Sequence, residues 1–192
     1  EIAPGIEPTI EVAPSSDLVR GLEEGRFDFI LARFPPGYDS RAFRVTPARA
    51  EVVSLVVRAE HPLAYRRAIP IAELSGYEWV IQERASPIRT AIDGAFHAAG
   101  APTPANVTNT SSLLVMLAII DTSDAIATLS EEVAGLLTRG SPLPGLVALD
   151  LADTISVAPY FIIQNRAQRL SRAAEQVLDR IAGTDARRHR VV

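Results

Sequence analysis

The chain has 192 residues, 47% of them hydrophobic and 22% charged. With a mean hydropathy of +0.14, it is not a disordered chain and fits one globular domain or two small ones. It contains no cysteine and no lysine, so all 19 basic residues are arginine, which removes disulfides, thiol nucleophiles, cysteine zinc sites, Schiff-base catalysis and the phosphate-loop lysine. Nineteen basic against 23 acidic residues leave a net charge of -4, which is not the electrostatic footprint of a domain that holds nucleic acid by itself.

The N-terminus, Glu1-Ile2-Ala3-Pro4-Gly5, has neither the basic start nor the apolar core of a signal peptide. Residues 9–13 alternate apolar with polar and read as a strand. Ser15, Ser16 and Asp17 are positioned to cap a short helix over 18–24, with Leu18, Val19 and Leu22 on one face and Gly25 as its stop. A mostly apolar strand over 27–32 follows, and the turn at 34–37 breaks it. Extended segments at 42–46 and 51–58 complete the first block. In the second block, residues 77–82 form a strand, and Ser86-Pro87 begin a helix that Gly100 ends. A strand over 106–110 leads to Ser111 or Ser112 as cap of a strongly apolar helix reaching Ile120. This longest apolar run, 113–120, stops at Asp121, short of the roughly 20 residues a membrane span requires. A short buried strand over 125–129 precedes Ser130, Glu131 and Glu132, whose hydroxyl and carboxylates suit the start of another helix. After a Gly/Pro turn at 140–145 come extended segments at 146–149 and 157–163. The last helix carries Leu170, Ala174, Val177, Leu178 and Ile181 as one buried stripe.

Strands alternating with helices through short loops predict α/β architecture with mostly parallel strands. Two sheets are expected, with segments 51–58 and 157–163 leading into and out of a second lobe. Ligands in such a fold belong in the crevice between lobes, at strand carboxyl ends and helix N-termini.

Four segments resemble one family. The run Leu18-Val19-Arg20-Gly21-Leu22-Glu23-Glu24-Gly25-Arg26-Phe27-Asp28-Phe29-Ile30-Leu31 has its short helix, glycine and Asp-containing strand. Val56-Val57-Arg58-Ala59-Glu60-His61-Pro62-Leu63-Ala64 has its strand followed by His-Pro-Leu. Asn109-Thr110-Ser111-Ser112 with its apolar helix, then Asp124-Ala125-Ile126-Ala127-Thr128-Leu129-Ser130, resembles the later part of the second lobe. The closing strand from Tyr160 and its amphipathic helix resemble the return to the first. Their order over nearly the whole chain resembles the effector-binding domain of LysR-type bacterial transcriptional regulators, which has the two-lobed fold of type 2 periplasmic binding proteins. The resemblance implies lobe I at 1–56 plus 161–192 and lobe II at 57–160. It also implies that the family's upstream winged helix-turn-helix, and the first strand and helix of its effector domain, are missing here. Asp121-Thr122-Ser123-Asp124 stands where many members have a glycine-rich turn and reads as a branch character.

By that resemblance the domain binds a small effector (an organic acid, aromatic catabolite or sugar acid) and forms a homodimer or tetramer. Residues 9–24 of one copy would meet the helix near 130–138 of another. DNA contact would come only through the missing domain, no membrane is involved, and a cytoplasmic location is expected. The alternative is a transporter's solute-binding protein with the same fold.

The candidate ligand residues are Thr110, Ser111, Ser112, Ser86, Arg89, Arg33 and Gln82. Three consecutive hydroxyls at a strand-to-helix junction exceed what one cap needs. Ser86 either caps its helix or also meets ligand, and Arg89 either forks onto a carboxylate or pairs with Asp93 at i, i+4. Arg33 ends an apolar strand, where it is either ligand-facing or solvated, and Gln82 with Glu83 ends the strand before Ser86. His61 and His97 read as structural or solvent-exposed, since neither has a second metal ligand at suitable spacing. Glu23-Glu24 and Glu131-Glu132 read as solvated. No nucleophile elbow and no dinucleotide-binding glycine pattern occurs, so no catalytic residue, cofactor or metal is expected.

Overall fold

The computed structural model describes residues 5–34, 38–48, 51–84, 86–138 and 145–188, with side chains as far as 181. Most of the turns expected at 34–37 and 140–145 lie outside what is described. In chain order the elements are α1 (Ser15–Glu23), β1 (Ile30–Ala32), β2 (Phe43–Pro47), β3 (Glu51–Arg58), β4 (Trp79–Ile81), α2 (Pro87–Ala98) and β5 (Val107–Asn109). They continue as α3 (Leu113–Thr122), β6 (Ile126–Ser130), α4 (Glu131–Thr138), β7 (Leu146–Ala148), β8 (Ile155–Val157), β9 (Phe161–Asn165) and α5 (Arg172–Arg188). The chain divides into two compact units, one of Glu1–Ala50 with Pro159–Val192 and the other of Glu51–Ala158.

The first unit holds a three-stranded sheet in the order β1-β9-β2. Both pairings are antiparallel, and Ile163 stands opposite Ile30 on one side and Val45 on the other. Val19 and Leu22 of α1 pack on Ile30, Ala32, Phe43 and Ile163, which gives this small sheet its buried face. Pro14 occupies the N-cap of α1 and no side chain caps it. Ser15, Ser16 and Asp17 therefore fall inside the first turn rather than before it. Ser15 Oγ instead accepts the Arg33 backbone N–H at 3.3 Å, tying the helix start to the end of β1. Gly25, at φ +74°, ends the helix as expected, with the Arg26 N–H on the Gly21 carbonyl at 2.8 Å.

Residues 9–13 are not a strand, and Ile10 and Val12 are 82% and 93% exposed. A period-two pattern makes a strand only when a neighbour takes its backbone hydrogen bonds, and no described strand pairs with this segment.

The second unit is built on a sheet of order β5-β4-β6-β3-β7, with β8 also paired to β3. β4 runs parallel to β5 and β6, whereas β3 is antiparallel to β6, β7 and β8. The expectation of mostly parallel strands is thus corrected. Alternation with helices gives β4, β5, β6 and β7 one direction, but β3 lies among them reversed, and the first unit's sheet is wholly antiparallel. β3 belongs entirely to this unit because both ends are paired here, Glu51 with Val157 and Arg58 with Leu146. The units accordingly divide at 50/51 and 158/159, whereas the sequence placed the divisions at 56/57 and 160/161. The extended segment expected over 157–163 is two strands, β8 and β9, one in each unit.

Helices cover both faces of this sheet, so its strands are near-continuous apolar runs. Leu55, Val57, Trp79 and Ile81 face Ile92 and Phe96 of α2. Val56, Val80 and Ala127 face Met116 and Ile120 of α3 and Ala134 of α4. Trp79 is fully buried, meets Phe96 edge-on at 5.6 Å and donates its indole N–H to the Leu74 carbonyl at 2.9 Å. Among the described residues no helix is long and apolar enough to cross a membrane.

Ala68 has φ +50°, a left-handed conformation that L side chains resist. Its neighbour explains it, because Ile69 is fully buried and donates its N–H to the Asp150 carbonyl at 2.9 Å. In Ala68→Gly the relief of about 1–2 kcal/mol of backbone strain outweighs roughly 0.5–1 kcal/mol of added unfolded-state entropy. The variant is therefore expected to unfold at higher urea, with an unchanged m-value.

Candidate functional site

Three strands that run the same way side by side end on the same edge. In the second unit this edge collects the carboxyl ends of β5, β4 and β6, each leading into a helix: β4 into α2, β5 into α3 and β6 into α4. The Thr110 N–H continues the β4–β5 ladder by donating to the Ile81 carbonyl at 3.0 Å. A hydroxyl stands at each helix start. Ser86 Oγ accepts the Arg89 N–H at 3.1 Å, Ser112 Oγ the Val115 N–H at 3.4 Å and Ser130 Oγ the Val133 N–H at 3.4 Å. The edge therefore combines helix N-terminal N–H groups with several hydroxyls, beside the charged Glu83, Arg84, Glu131 and Glu132, and the N–H groups and hydroxyls suit anionic or hydroxyl-rich groups.

The consecutive hydroxyls divide their roles. Thr110 Oγ1 accepts the Ser112 N–H at 3.1 Å, and Ser112 is the N-cap of α3. Ser111 is exposed, and its hydroxyl has no partner among the described residues. Of the three it is the one whose side chain the fold does not use. Directly after it, Leu113, Leu114 and Val115 are 38%, 79% and 43% exposed, so the hydroxyls are followed by an apolar turn.

Gln82 is a structural tie. Its Nε2 donates to the Thr128 carbonyl at 3.2 Å, and its Oε1 accepts the Thr128 hydroxyl at 2.9 Å, which locks the end of β4 to β6. Thr128 is fully buried and was not singled out in the sequence; its only signal is a hydroxyl inside the apolar run of β6. Glu83 is exposed. Arg89 is not at the strand-end edge, since its guanidinium turns back along α2 to Asp93, with Nε 2.9 and 3.1 Å from the two carboxylate oxygens. Of the two readings of Arg89, the structure shows the i, i+4 pair. Arg33 lies in the first unit, half-buried at the end of β1, with its guanidinium 5.8 Å from the centre of the Tyr160 ring. The structure thus brings Ser86, Gln82, Thr110, Ser111 and Ser112 to one edge of the second unit, commits the Arg89 guanidinium to Asp93, and has Arg33 in the first unit.

His61 is buried. Its Nδ1 accepts the Leu63 N–H at 3.0 Å, pinning the turn after β3, and its ring lies 5.0 Å from that of Tyr77. Nε2 is sealed from solvent without a hydrogen-bond partner. The Asp124 backbone and carboxylate lie near the ring. Burial pushes the His61 pKa below 6.5 and Arg58 adds to this, while the charge and carbonyl of Asp124 oppose it. Arg58 and Asp124 pair at 2.9 Å, joining the end of β3 to the loop before β6. Sixty-six positions separate them, and no local pattern in the sequence announces the pair. His97 is exposed. Among the described residues no three His, Asp or Glu side chains are grouped to hold a metal.

The LysR substrate binding domain family model matches residues 1–185. The chain is 36% identical over 131 residues to the HTH-type transcriptional regulator GbpR of Rhizobium radiobacter, covering 68% of this chain and 43% of that protein. It is 26% identical over 191 residues to GbpR of Azospirillum brasilense, covering 98% of this chain and 55% of the regulator. The chain therefore spans about half the length of these two relatives. Among solved structures, the CcmR regulatory domain of Synechocystis PCC6803 in complex with 2-PG superposes with a TM-score of 0.73 at 21% identity. That match covers 95% of this chain and 85% of the CcmR domain, and at this identity the likeness shows the fold, that of type 2 periplasmic binding proteins.

Because the folded pKa of His61 lies below the unfolded 6.5, the unfolded chain binds the extra proton first. This histidine's contribution is whole above pH 6.5 and is lost as the pH falls from there toward the folded pKa. Urea midpoints measured from about pH 7.5 to about pH 5.5 are expected to fall more steeply for the parent protein than for His61→Asn, which retains an acceptor for the Leu63 N–H but does not titrate.

Proposed function

This chain belongs to the family of LysR substrate-binding domains, and from that premise we propose that it is the effector-binding and oligomerisation domain of a bacterial transcriptional regulator. The observation that carries the reading is the edge where β4, β5 and β6 end, with Ser86, Ser111, Ser112 and Thr110 beside helix N-termini. The relatives named as HTH-type transcriptional regulators favour this reading over a transporter's solute-binding protein. No catalytic step is assigned to the domain, and its working location is the cytoplasm, where the DNA is.

The effector is a small molecule held by hydrogen bonds to the hydroxyls and helix N-terminal amides of this unit. Organic acids, sugar acids and aromatic acids have the acceptors that helix N-terminal amides and hydroxyls recognise. Leu113, Leu114 and Val115, exposed beside the hydroxyls, offer an apolar surface to the rest of such a molecule. Effector binding controls transcription only through its different affinity for two arrangements of the assembled regulator, a coupling of about 1–3 kcal/mol in typical cases. Self-association as a dimer or tetramer is consistent with the apolar side chains each unit leaves exposed, Ile10 and Val12 in the first and Leu136, 73% exposed, in the second. DNA contact belongs to a helix-turn-helix domain of the longer protein.

A thermal-shift screen of organic acids, aromatic acids and sugars tests the assignment. A ligand at 100 times its Kd stabilises the folded state by about 2.7 kcal/mol. Ser111→Ala is the sharper variant, since the fold makes no described use of that hydroxyl, and Thr110→Ala also loses the bond to the Ser112 N–H. The expected result is a ligand whose shift shrinks in both variants. Equal shifts in wild type and variants would place the effector elsewhere.

A further inference from the structure

We propose that His61 is a proton-operated latch: neutral, it closes the turn that follows β3, and protonated, it releases residues 60–66 while the sheet of the second unit stays paired. The turn is folded on itself. The His61 N–H donates to the Arg58 carbonyl at 3.1 Å, the Ala64 N–H to the His61 carbonyl at 3.0 Å and the Arg66 N–H to the Leu63 carbonyl at 3.1 Å. It sets Leu63 and Ala64 into the core, where both are buried. The Leu63 N–H goes to a side chain instead of a carbonyl, donating to His61 Nδ1 at 3.0 Å.

That bond fixes the ring's chemistry. An imidazole nitrogen that accepts carries no proton, so the neutral ring keeps its proton on Nε2, which is sealed from solvent without a partner. A second proton can bind only at Nδ1, and there it turns the acceptor into a donor aimed at the Leu63 N–H. Two donors cannot share that position, so the imidazolium does not form while the turn is closed. The surroundings offer its charge little. Arg58, at the end of β3, repels it, and Asp124, in the loop before β6, attracts it but is already paired with Arg58 at 2.9 Å. Tyr77, before β4, supplies a ring contact at 5.0 Å, and Glu60, next in the chain, is exposed. Opening places the ring in water, where both nitrogens can donate to solvent. The turn loses little by opening: its own short-range bonds, the burial of Leu63 and Ala64, and the solvent-exposed pair of Arg66 with Glu73. The segments on either side keep separate ties, β3 to β6, β7 and β8, and the Ile69 N–H to the Asp150 carbonyl at 2.9 Å.

Native-state amide exchange in the 192-residue protein, read by NMR at about pH 7.5 and about pH 5.5, tests the latch. Corrected for intrinsic rates, opening at Leu63, Ala64 and Arg66 is expected to rise by up to about tenfold at the lower pH, because the open ring takes its proton near the ordinary 6.5 and the closed ring does not. Local opening exposes little surface, so this exchange is expected to be insensitive to urea below the unfolding transition. Exchange of the Trp79 N–H, held on the Asn106 carbonyl at 2.9 Å inside the sheet, is expected to rise with urea. In His61→Asn the pH dependence of the turn is expected to vanish, and long-range proton–nitrogen spectra of the wild type are expected to show the Nε2–H tautomer. Three results would overturn the latch: an Nδ1–H tautomer; turn amides as urea-sensitive as that of Trp79, which would make release part of unfolding the whole unit; or a pH dependence that survives in His61→Asn. The first two are read on the wild type and do not depend on the variant folding.

Discussion

Parallel pairing of β4 with both β5 and β6 is the constraint from which the second unit follows. Parallel neighbours cannot be joined by a tight turn, so each step needs a crossover, and here the crossovers are α2 and α3. A crossover helix runs back against its strand, which brings its N-terminus to the strand's carboxyl end. Three strands in register therefore gather three helix starts on one edge whatever the side chains there are. The sequence then decides what that edge offers. It supplies Ser86, Ser112 and Ser130 as caps and Thr110 and Ser111 between strand and helix, while the Arg89 guanidinium pairs with Asp93.

Much of this was readable before the fold was known. Gly25 and Gly100 stop their helices where expected, and both have positive φ, at +74° and +63°. Ser86 and Ser112 cap as their positions imply. The strand-end hydroxyls come together because periodicity places each at a strand-to-helix junction, and the direction of the strands does the rest. The readings that failed depend on partners distant in the chain. Residues 9–13 alternate like a strand but have no described neighbour to pair with, and Pro14 takes the cap position that Ser15 to Asp17 were expected to fill. Nothing local shows that β3 runs against β6 and β7, and nothing shows that Gln82 is held by Thr128 forty-six positions later.

Arginine in this chain shows why composition alone places a residue type poorly. With no lysine, every cation is a forked donor, and the fold uses the forks in different ways. Arg58 joins two distant segments through Asp124, Arg166 donates to the Phe43 carbonyl at 2.7 Å, and Arg33 lies over the Tyr160 ring. Arg89 is the case in which the fork is buried but only partly paired. A carboxylate-binding role cannot be assigned by counting arginines, because carbonyls, rings and carboxylates of the fold itself compete for the same geometry.

The first unit's sheet has a temporal consequence. Its central strand, β9, comes from near the end of the chain, and β1 and β2 make no pairing with each other. While the chain is being synthesised, those two early strands must wait without a partner until well over a hundred further residues have emerged, and the intervening unit completes its own sheet within that interval. Early closure of the first unit is thereby prevented by connectivity alone. Through that interval β1 and β2 stay open to other chains, which exposes this small sheet to misassembly.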